Sequence, residues 1–377
     1  MSHNLTLKRG ISMNWQTFRL TTRLALKPAI VESVYSLIAE IDSVKTGWKM
    51  TGKLLPQAIE RLTHSVIVTS TGSSNRIEGN RLTDVEVEVL YKNLRIKKFK
   101  TRDEQEVAGY LEMLELVFDS YREIPVRESS ILQLHRDMLK YSDKDARHKG
   151  HYKFGSNRVE AKDQSGRVLG IIFDPTPPHL VQKEMQELVG WYGWAVENNF
   201  KHPLILIANF VFEYLAIHPF QDGNGRTSRL LSNLMLLQHG YDFAAVVSHE
   251  KLIEANKADY YLALNKTQKT WKTGKEDLSQ WLLFFLKIIQ AQARQALKIL
   301  EGDHFEYLLS EKQLDLWRWA TALPGREFGR KAAVEALGYP ARTVESIIKK
   351  LLGMKKLERI GEGRATRYKV VQLGVPF

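Results

Sequence analysis

The sequence predicts a mainly α protein with one β-hairpin in its core and a small C-terminal module of helices and strands. Three observations support this prediction. Apolar residues recur at steps of three and four along most of the chain, as in the segment from Ile30 to Ile41. An alternating, β-like pattern interrupts the helices between Gly150 and Pro178. After Gly302 the composition shifts, and short helical segments are followed by two β-like segments in which apolar and polar residues alternate.

Length and composition restrict the class of protein. The chain has 377 residues, more than one hydrophobic core usually organises, so two or three domains are expected. Hydrophobic residues make up 44% and charged residues 26%, a balance that excludes a disordered chain. There is no cysteine, which excludes disulfides, thiolate zinc sites and cysteine nucleophiles, so a metal must be held by oxygen or imidazole. A cytoplasmic location is expected.

Membrane segments and charge give two further expectations. The longest apolar stretch, Leu204 to Phe212, contains Asn209 and is too short to span a bilayer, so no membrane partner is expected. The first thirty residues hold five basic residues and no acidic one; they resemble a transit peptide faintly and are interpreted as a loose basic arm. The net charge is +12. The segment from Pro324 to Phe377 contains twelve basic and five acidic residues, and this excess of positive charge favours a polyanionic partner.

The N-terminal part is predicted to be helical. The first helix is expected to end at Thr46-Gly47, and a second runs from Pro56 to Val68. The polar residues 69–74 are interpreted as caps for a short helix around Asn75 to Glu78. Three further helices each open with a polar cap or an acidic first turn: Asp84 to Leu94, Arg102 to Tyr121, and Ser129 to Leu139.

The β-like region and the following helices complete the predicted core. Arg158 to Ala161 and Val168 to Phe173 are predicted to pair as a hairpin through the polar turn 163–166. Because the helix Leu204 to Ile217 is apolar on all faces, it is expected to be buried and central. The other core helices are Leu180 to Asn198, Arg226 to His239 with Gly240 as a left-handed cap, Ser248 to Leu264, and Leu278 to Leu300.

The C-terminal segment resembles a winged helix-turn-helix module. Its predicted helices are Gln313 to Thr321, Arg330 to Leu337 and Ala341 to Leu352, and its predicted wing strands are Leu357 to Ile360 and Thr366 to Val371. The expected domains are therefore a helical N-terminal region at 1–100, a core at 101–302 and this module at 303–377.

The segment from His218 to Arg229 concentrates residue types that suit phosphate chemistry. Glycines just before a helix leave backbone N–H groups uncovered, so the positive end of the helix dipole can hold phosphate oxygens. Asn224 adds a side-chain donor. Arg226 and Arg229 share a helix face and can each bind phosphate oxygens through two parallel hydrogen bonds. A polyphosphate is the expected ligand.

Asp222 and His218 supply the remaining chemistry. Asp222 offers a hard oxygen at the rim of the loop, suited to a magnesium ion that also bridges phosphates. His218 has an ordinary pKa near ~6.5, so at neutral pH it can accept a proton from an attacking hydroxyl. Pro219 and Phe220 are expected to anchor the loop in the core. Each feature alone is common in turns and helix starts, but their combination within twelve residues favours a functional site.

The segment matches the signature of the Fic family, His-Pro-Phe-x-Asp-Gly-Asn-Gly-Arg-x-x-Arg, at every specified position. The resemblance implies a protein adenylyltransferase that uses ATP and Mg²⁺ to move AMP onto a Ser, Thr or Tyr hydroxyl, with His218 as general base and Asp222 as metal ligand. A kinase-like branch has lysine in place of Gly225, which favours AMP transfer here. The implied nucleotide-binding residues are Gly223, Asn224, Gly225, Arg226, Thr227, Ser228, Arg229 and Tyr261.

Three further features fit this resemblance. Ser74 to Gly79 resembles the family's inhibitory motif, in which Glu78 and Ser74 lie one helical turn apart and Glu78 could reach Arg229; a capping box is the plain alternative. The hairpin from Arg158 to Phe173 resembles the flap that would pair with a target segment, or it is purely structural. Tyr261 lies in a helix that resembles the one facing adenine, where a ring could stack on the base, or it is a core residue.

The partner and the direction of the reaction are left open. Arg342, Lys349 and Lys350, with Arg359, Arg364 and Arg367 on the wing, suit DNA binding, while dimerisation or target docking is equally favoured. The target is a protein hydroxyl, and self-modification and a homodimer are both considered. In some relatives the equivalent of Glu78 also supports removal of AMP. A regulator whose core only senses nucleotide is the alternative from another class.

Overall fold

A computed structural model describes residues 13–51, 56–94, 99–145, 147–162, 168–301, 309–361 and 366–371. These residues form two compact units. The first comprises segments 1–50 and 62–297, and the second comprises 51–61 and 298–377. Helices dominate, which confirms the predicted mainly α class. Among the described residues, no helix is both long and apolar enough to cross a bilayer. The division into domains at 1–100, 101–302 and 303–377 stays a prediction.

The first half of the chain is helical up to the hairpin. Its helices are α1 (Arg19–Thr22), α2 (Pro28–Thr51), α3 (Pro56–Ile77), α4 (Asp84–Lys92), α5 (Arg102–Ser120) and α6 (Glu128–Met138). Thr83 and Thr101 cap α4 and α5 through reciprocal bonds with Glu86 and Glu104, which explains the sharp starts of both helices. The prediction that the first helix ends at Thr46-Gly47 is wrong, since a single internal glycine costs a helix only about 1 kcal/mol.

The prediction of a break at residues 69–74 is also wrong. Helix α3 continues through this polar run to Ile77 because the small side chains pack inside the protein. Ser70 and Ser74 are 1% and 0% exposed, and the hydroxyl of Ser70 donates to the hydroxyl of Ser248 at 2.7 Å. Burial and side-chain hydrogen bonds therefore outweigh the weak helix propensity of serine and threonine.

The hairpin and the later helices form the rest of this unit. They are β1 (Val159–Lys162), β2 (Val168–Phe173), α7 (Pro178–Glu197), α8 (Pro203–Ile217), α9 (Asn224–Gln238), α10 (His249–Ala255), α11 (Lys257–Gln268) and α12 (Ser279–Glu301). The two strands pair antiparallel, and the predicted turn 163–166 lies outside the described residues. The single helix predicted from Ser248 to Leu264 is in fact two, because the backbone leaves the helical conformation at Asn256.

Helix α8 is the central helix, as predicted. Every residue from Leu204 to Ile217 is buried, including Asn209 and Glu213. The prediction of a left-handed residue at Gly240 after α9 is confirmed by its φ of 76°.

The segment before α2 is not the loose arm that was predicted. Arg19 and Arg23 both form ion pairs with the buried carboxylate of Glu213, and Arg23 reaches it at 2.6 Å. Burial opposes the charge of Glu213, but Arg23 and Arg19 outweigh burial and lower its pKa to about 2. The basic residues Lys8 and Arg9 lie outside the described residues.

The second unit contains the predicted C-terminal elements. They are α13 (Glu311–Ala322), β3 (Glu327–Phe328), α14 (Arg330–Leu337), α15 (Ala341–Gly353), β4 (Leu357–Ile360) and β5 (Arg367–Val370). The strands form an antiparallel sheet in the order β3-β5-β4. Strand β3 was not predicted, since two residues are too short to show an alternating pattern. The core includes Trp317, Phe328, Val344 and Ile348.

Candidate active site

The site is built where α8 ends and α9 begins. Helix α8 closes at His218, which adopts the left-handed conformation with φ 52° and ψ 61°. This conformation costs a non-glycine residue about 1–2 kcal/mol, so surrounding contacts must fix it. Gly223 has φ 80° and immediately precedes α9, which starts at Asn224. A β-carbon at Gly223 would lie 2.9 Å from Met138 Cε, the end of a flexible side chain, so it is the positive φ rather than the space that requires glycine here.

Side chains hold the backbone of the loop between the two helices. Asn224 accepts from Phe220 N–H at 2.8 Å and donates to Phe220 O at 2.7 Å. Asn157 donates to His218 O and to Phe220 O, and the backbone N–H of Lys153 donates to Pro219 O. The loop therefore has one fixed path. Asn224, predicted as a phosphate donor, uses its side chain in this structure to brace the loop.

His135 supports the same loop from α6. Its ring stacks on Phe220 with centroids 3.6 Å apart and planes within 2°. Its Nδ1 accepts from Gly150 N–H at 3.0 Å, so Nε2 carries the proton and donates to Asp222 O at 2.9 Å. Phe220 is 0% exposed, in accordance with its predicted anchoring role. His135, Lys153 and Asn157 were not identified from the sequence, because they lie 61 to 87 positions before the loop residues they bind and have no local motif.

The protonation of His218 suits a general base. Its Nδ1 lies 3.2 Å from the carbonyl oxygen of Leu215, which only accepts, so Nδ1 carries the proton. The lone pair of the neutral ring is then on Nε2. Desolvation lowers the pKa of His218 to about 4, and the nearby charge of Lys153 lowers it further, while the Leu215 carbonyl raises it. The ring is thus neutral at pH 7 and able to take a proton.

Asp222 lies in a cluster of charges at the rim of the site. Its carboxylate accepts from Gly223 N–H and lies 3.4 Å from Arg226 and 3.5 Å from Arg102. Glu106 pairs with both of these arginines. Burial opposes the charge of Asp222, but Arg226, Gly223 N–H and Arg102 lower its pKa, so it is ionised at neutral pH.

The donor set around Asp222 can be tested for a divalent cation. One oxygen each of Glu106, Asp145 and Asp222 lies within 4.8 Å of the others. The oxygens of Glu106 and Asp222 already face Arg102 and Arg226, so the three carboxylates do not form an all-protein cage. The side chain of Asp222 is 38% exposed. These features fit a magnesium ion held by Asp222, water and substrate phosphates.

Arg226 and Arg229 have different surroundings although they are three residues apart. The side chain of Arg226 is 2% exposed and engaged with Glu106 and Asp222, so in this structure it orients carboxylates. Arg229 is equally buried, and it donates through Nε to Ser74 Oγ at 2.7 Å and through Nη2 to Ser74 O at 2.9 Å. Nη2 also pairs with Glu78 Oε1 at 2.7 Å. The contact expected between Glu78 and Arg229 is therefore present.

Glu78 also lies over the first turn of α9. A β-carbon built on Gly225 would lie 2.1 Å from Glu78 Oε1, so the carboxylate rests directly against this glycine. The first N–H groups of a helix have no partner within the helix, and its dipole attracts anions there. The carboxylate of Glu78 thus lies where the start of α9 and Arg229 together favour an anion.

The end of α3 is tied to the core beside Glu78. Arg76 binds Glu254 through two parallel hydrogen bonds of 2.7 and 3.0 Å and pairs with Asp84 at 2.9 Å. The capping-box alternative for Asn75 and Glu78 does not apply, because Asn75 lies inside the helix and its amide donates to Thr71 O. The position of Glu78 is therefore set by the fold of α3.

The remaining predicted site residues lie on α9 and α11. Thr227 and Ser228 are 0% and 1% exposed, and the hydroxyl of Ser228 donates to Gly225 O at 2.7 Å. Their hydroxyls face the protein interior. Tyr260 is 4% exposed and belongs to the core, whereas Tyr261 is 45% exposed. Of the two adjacent tyrosines, only Tyr261 presents a ring that a base could stack on.

Comparison with known proteins places this site in a family. Residues 125–236 match the sequence pattern of the Fic/DOC family. A Fido domain-containing protein of Dictyostelium discoideum is 30% identical over 124 residues, which cover 33% of this chain and 82% of that protein. A protein adenylyltransferase Fic of Drosophila grimshawi is 30% identical over 253 residues, which cover 65% of this chain and 42% of that protein.

Two further comparisons concern a bacterial relative and the fold. A probable protein adenylyltransferase of Aquifex aeolicus is 28% identical over 160 residues, which cover 48% of that protein, so the chain spans less than half of either adenylyltransferase. The crystal structure of a Fic family protein from Desulfovibrio desulfuricans has a TM-score of 0.64 at 23% identity, and the match covers 94% of this chain and 99% of that one. The fold, the loop from His218 to Arg229 and these relatives together show that this chain belongs to the Fic/DOC family.

Proposed function

We propose that this chain is a protein adenylyltransferase that transfers AMP from ATP to a Ser, Thr or Tyr hydroxyl of a protein, with Mg²⁺ as the metal. The neutral imidazole of His218, fixed at the end of α8 beside the phosphate-binding start of α9, carries this proposal. The names of the Drosophila and Aquifex relatives support it. We propose that the target is another protein or the chain itself. We also propose that the reaction takes place in the cytoplasm.

The reaction assigns each proposed residue a task. The target hydroxyl oxygen attacks the α-phosphorus of ATP while His218 Nε2 takes its proton, and the bond to the bridging oxygen of the β-phosphate breaks. Pyrophosphate leaves with that electron pair. The backbone N–H groups of Asn224 and Gly225 bind phosphate oxygens, while the N–H of Gly223 holds Asp222 and the absence of a side chain at Gly223 lets the phosphates approach. Mg²⁺ held by Asp222 would neutralise phosphate charge, and Tyr261 stacks on adenine.

We further propose that Glu78 inhibits this activity from within the chain. Its carboxylate lies against Gly225 and pairs with Arg229, and we assign Arg229 to the γ-phosphate of ATP from the resemblance to the family. A carboxylate and a phosphate cannot use the same guanidinium nitrogen and the same helix start together, so ATP binds productively only when Glu78 leaves. One alternative is that the same carboxylate orients a water that removes AMP from a modified protein. The other alternative is a sensor core that binds ATP without transferring AMP.

The test is mass spectrometry of the Glu78→Gly variant after incubation with ATP and Mg²⁺. We expect the chain or an added protein to gain AMP at a rate at least about tenfold above wild type, the factor that about 1.4 kcal/mol of relieved competition would give. Glu123→Gly, at an exposed turn residue, is the matched control and should behave as wild type. ATP binding by folded Glu78→Gly without any AMP transfer would contradict the proposal and favour the sensor.

A second candidate function concerns the second unit, whose elements fit a winged helix-turn-helix module. Arg342, Lys349 and Lys350 are exposed on α15 while Val344 and Ile348 face the core, so the outer face of α15 carries more basic than acidic residues. The exposed Glu345 on this helix pairs with Arg330. Arg359 on β4 is also exposed, and Arg364 lies outside the described residues. This face fits the phosphates of duplex DNA.

A mobility shift of a duplex by the full-length chain tests this second function. We expect binding at 50 mM salt that weakens steeply at 200 mM, and weaker binding by a variant with Arg342 and Lys349 changed to alanine. Absence of binding at low salt would assign the unit to dimerisation or target docking instead. Size-exclusion chromatography would then show whether the partner is a second copy of the chain.

A further inference from the structure

We propose that Lys153 is a positioning residue of this site, which together with Asn157 fixes the backbone around His218 so that the imidazole keeps one tautomer and one direction. The inference deepens the proposed adenylyltransferase function and takes its activity readout from that function. It assigns a task in the reaction to a lysine before the hairpin, outside the segment from His218 to Arg229.

Lys153 contacts the end of α8 through both its side chain and its backbone. The residue is 3% exposed, and its ammonium donates to Ile217 O at 3.2 Å and to Asn157 Oδ1 at 2.7 Å. Its backbone N–H donates to Pro219 O at 2.9 Å. One hydrogen bond of this buried ammonium ends on the last carbonyl of α8, and the other holds the amide that binds the next loop carbonyls, so the lysine acts on this loop. Lysine is otherwise rarely buried.

Asn157 extends the same arrangement. Its side-chain oxygen is held by Lys153, which orients the amide so that Nδ2 donates to His218 O at 3.1 Å and to Phe220 O at 2.7 Å. The two residues thus bind four successive carbonyls, from position 217 to position 220. His218 itself has an unfavourable backbone conformation, so its orientation depends on these contacts.

The charge of Lys153 suits this place for two reasons. The last carbonyls of α8 have no partner within the helix and form the negative end of its dipole, where an ammonium is favourable. A positive charge beside the imidazole also disfavours its protonated form, which keeps His218 available as a base. A neutral hydrogen-bond donor at this position would interact less favourably with the carbonyl end of α8, and it would not disfavour the protonated form of His218.

The pH dependence of the reaction should show this charge. Burial lowers the pKa of Lys153 to about 8, Asp174 and Glu184 raise it, and Lys272 lowers it. The imidazole of His218 also lies near the ammonium, and it is neutral above about pH 4. Lys153 is therefore charged at pH 7 and loses its proton as the pH rises through about 8, so the rate should fall between pH 7 and pH 9.

The test compares Lys153→Met, Asn157→Leu and their combination, each in the active Glu78→Gly background. We expect kcat to fall by about 10- to 100-fold in each single variant, as for other small displacements of a reacting group, with KM for ATP changed less than about threefold. Because both side chains act through one loop, the double variant should lose little more than the worse single one. Lys183→Met, at an exposed helix position, is the matched control and should keep full activity.

The pH profile separates positioning by a charge from mere packing. The rate of Glu78→Gly should decline above pH 8, whereas the low rate of Lys153→Met should stay flat from pH 7 to pH 9. A Lys153→Met variant with the parent kcat, or with the parent decline above pH 8, would overturn the proposal. Should Lys153→Met fail to fold, Asn157→Leu, which leaves the lysine in place, gives the same kcat comparison.

A readout independent of activity distinguishes this proposal from the proposed function. Nitrogen-15 NMR of His218 should show a single tautomer protonated at Nδ1 in Glu78→Gly and a mixture of tautomers in Lys153→Met. The same single tautomer in both proteins would contradict the role of Lys153. If Glu78→Gly transfers no AMP, the adenylyltransferase proposal fails, and the NMR comparison still decides whether Lys153 orients the imidazole.

Discussion

The loop from Ile217 to Gly223, proposed to be catalytic, and the turn from Ser74 to Glu78, proposed to be inhibitory, meet at the same helix start but are held in different ways. The loop carbonyls at positions 217, 218, 219, 220 and 222 are bound by Lys153, Asn157, Asn224 and His135. The carboxylate of Glu78 is held by a hydrogen bond from Arg229, and its side chain is 36% exposed. The backbone of the loop is therefore bound at several points, whereas the carboxylate of Glu78 is held by its bond to Arg229.

If the proposed function is right, the difference separates the part of the site that performs the reaction from the part that controls it. A base must stay at a defined distance from the reacting hydroxyl, so its backbone is bound at several points. An inhibitory charge must be able to leave, so it is held by an ion pair that another anion can replace. Arg229 is buried and bound to Ser74 as well, so under the proposed function it stays in place while Glu78 and a phosphate compete for it.

The largest effect should come from the fixed region. In the Glu78→Gly background, His218→Ala should lower the rate of AMP transfer by about 10³-fold, because a positioned base contributes factors of this size. The measurement is incorporation of labelled AMP at saturating ATP. His179→Ala, at an exposed helix position, serves as the control. A His218→Ala protein that keeps a tenth of the activity would show that another group takes the proton.

The bracing of the loop should appear as stability. Asn224→Leu leaves the N–H of Phe220 without its side-chain partner in the interior, so the free energy of unfolding should fall by about 2 kcal/mol. Asn198→Leu is a matched control, since Asn198 also donates to the carbonyl four residues before it but is exposed. It should change stability by less than about 0.5 kcal/mol in the same denaturant titration. Equal losses in the two variants would show that the loop gains nothing from Asn224.

The smallest effect concerns pH. A base with the ordinary pKa of about 6.5 loses about 90% of its neutral form at pH 5.5. His218 has a pKa of about 4, so it stays neutral at pH 5.5, and removal of Glu78, which raises that pKa, lowers it further. The kcat/KM of Glu78→Gly should therefore differ by less than about twofold between pH 5.5 and pH 7.5. A tenfold decrease on acidification would mean that the imidazole is more exposed to water than the structure shows.

The sequence predicted the parts of this site that lie close together in the chain. The residues from His218 to Arg229 and the turn containing Glu78 have fixed spacings, and the contact between Glu78 and Arg229 was expected from the resemblance to the family's inhibitory motif. Helix α8 was predicted to be buried because it is apolar on all faces, and a helix without a polar face is suited only to the interior of the protein. The spacing of apolar residues was sufficient to predict a helix or strand where one face of that element packs against the core.

Contacts between distant residues could not be predicted in the same way. His135, Lys153 and Asn157 bind the loop from outside any motif, and a single histidine or lysine in a sequence gives no sign of its partner. The continuation of α3 through residues 69–74 depends on a buried bond between Ser70 and Ser248, which overrides helix propensity. Arg19 and Arg23 were taken for a solvated arm because Glu213, their partner, lies about 190 residues further along.

The affinity for nucleotides with and without Glu78 tests most directly the claim that Glu78 stands in the place of a phosphate. By calorimetry with Mg²⁺, we expect Glu78→Gly to bind a non-hydrolysable ATP analogue at least about tenfold more tightly than wild type, the effect of about 1.4 kcal/mol. AMP, which has no γ-phosphate to reach Arg229, should change by less than about twofold. An equal gain for both nucleotides, or none for the ATP analogue, would contradict the claim.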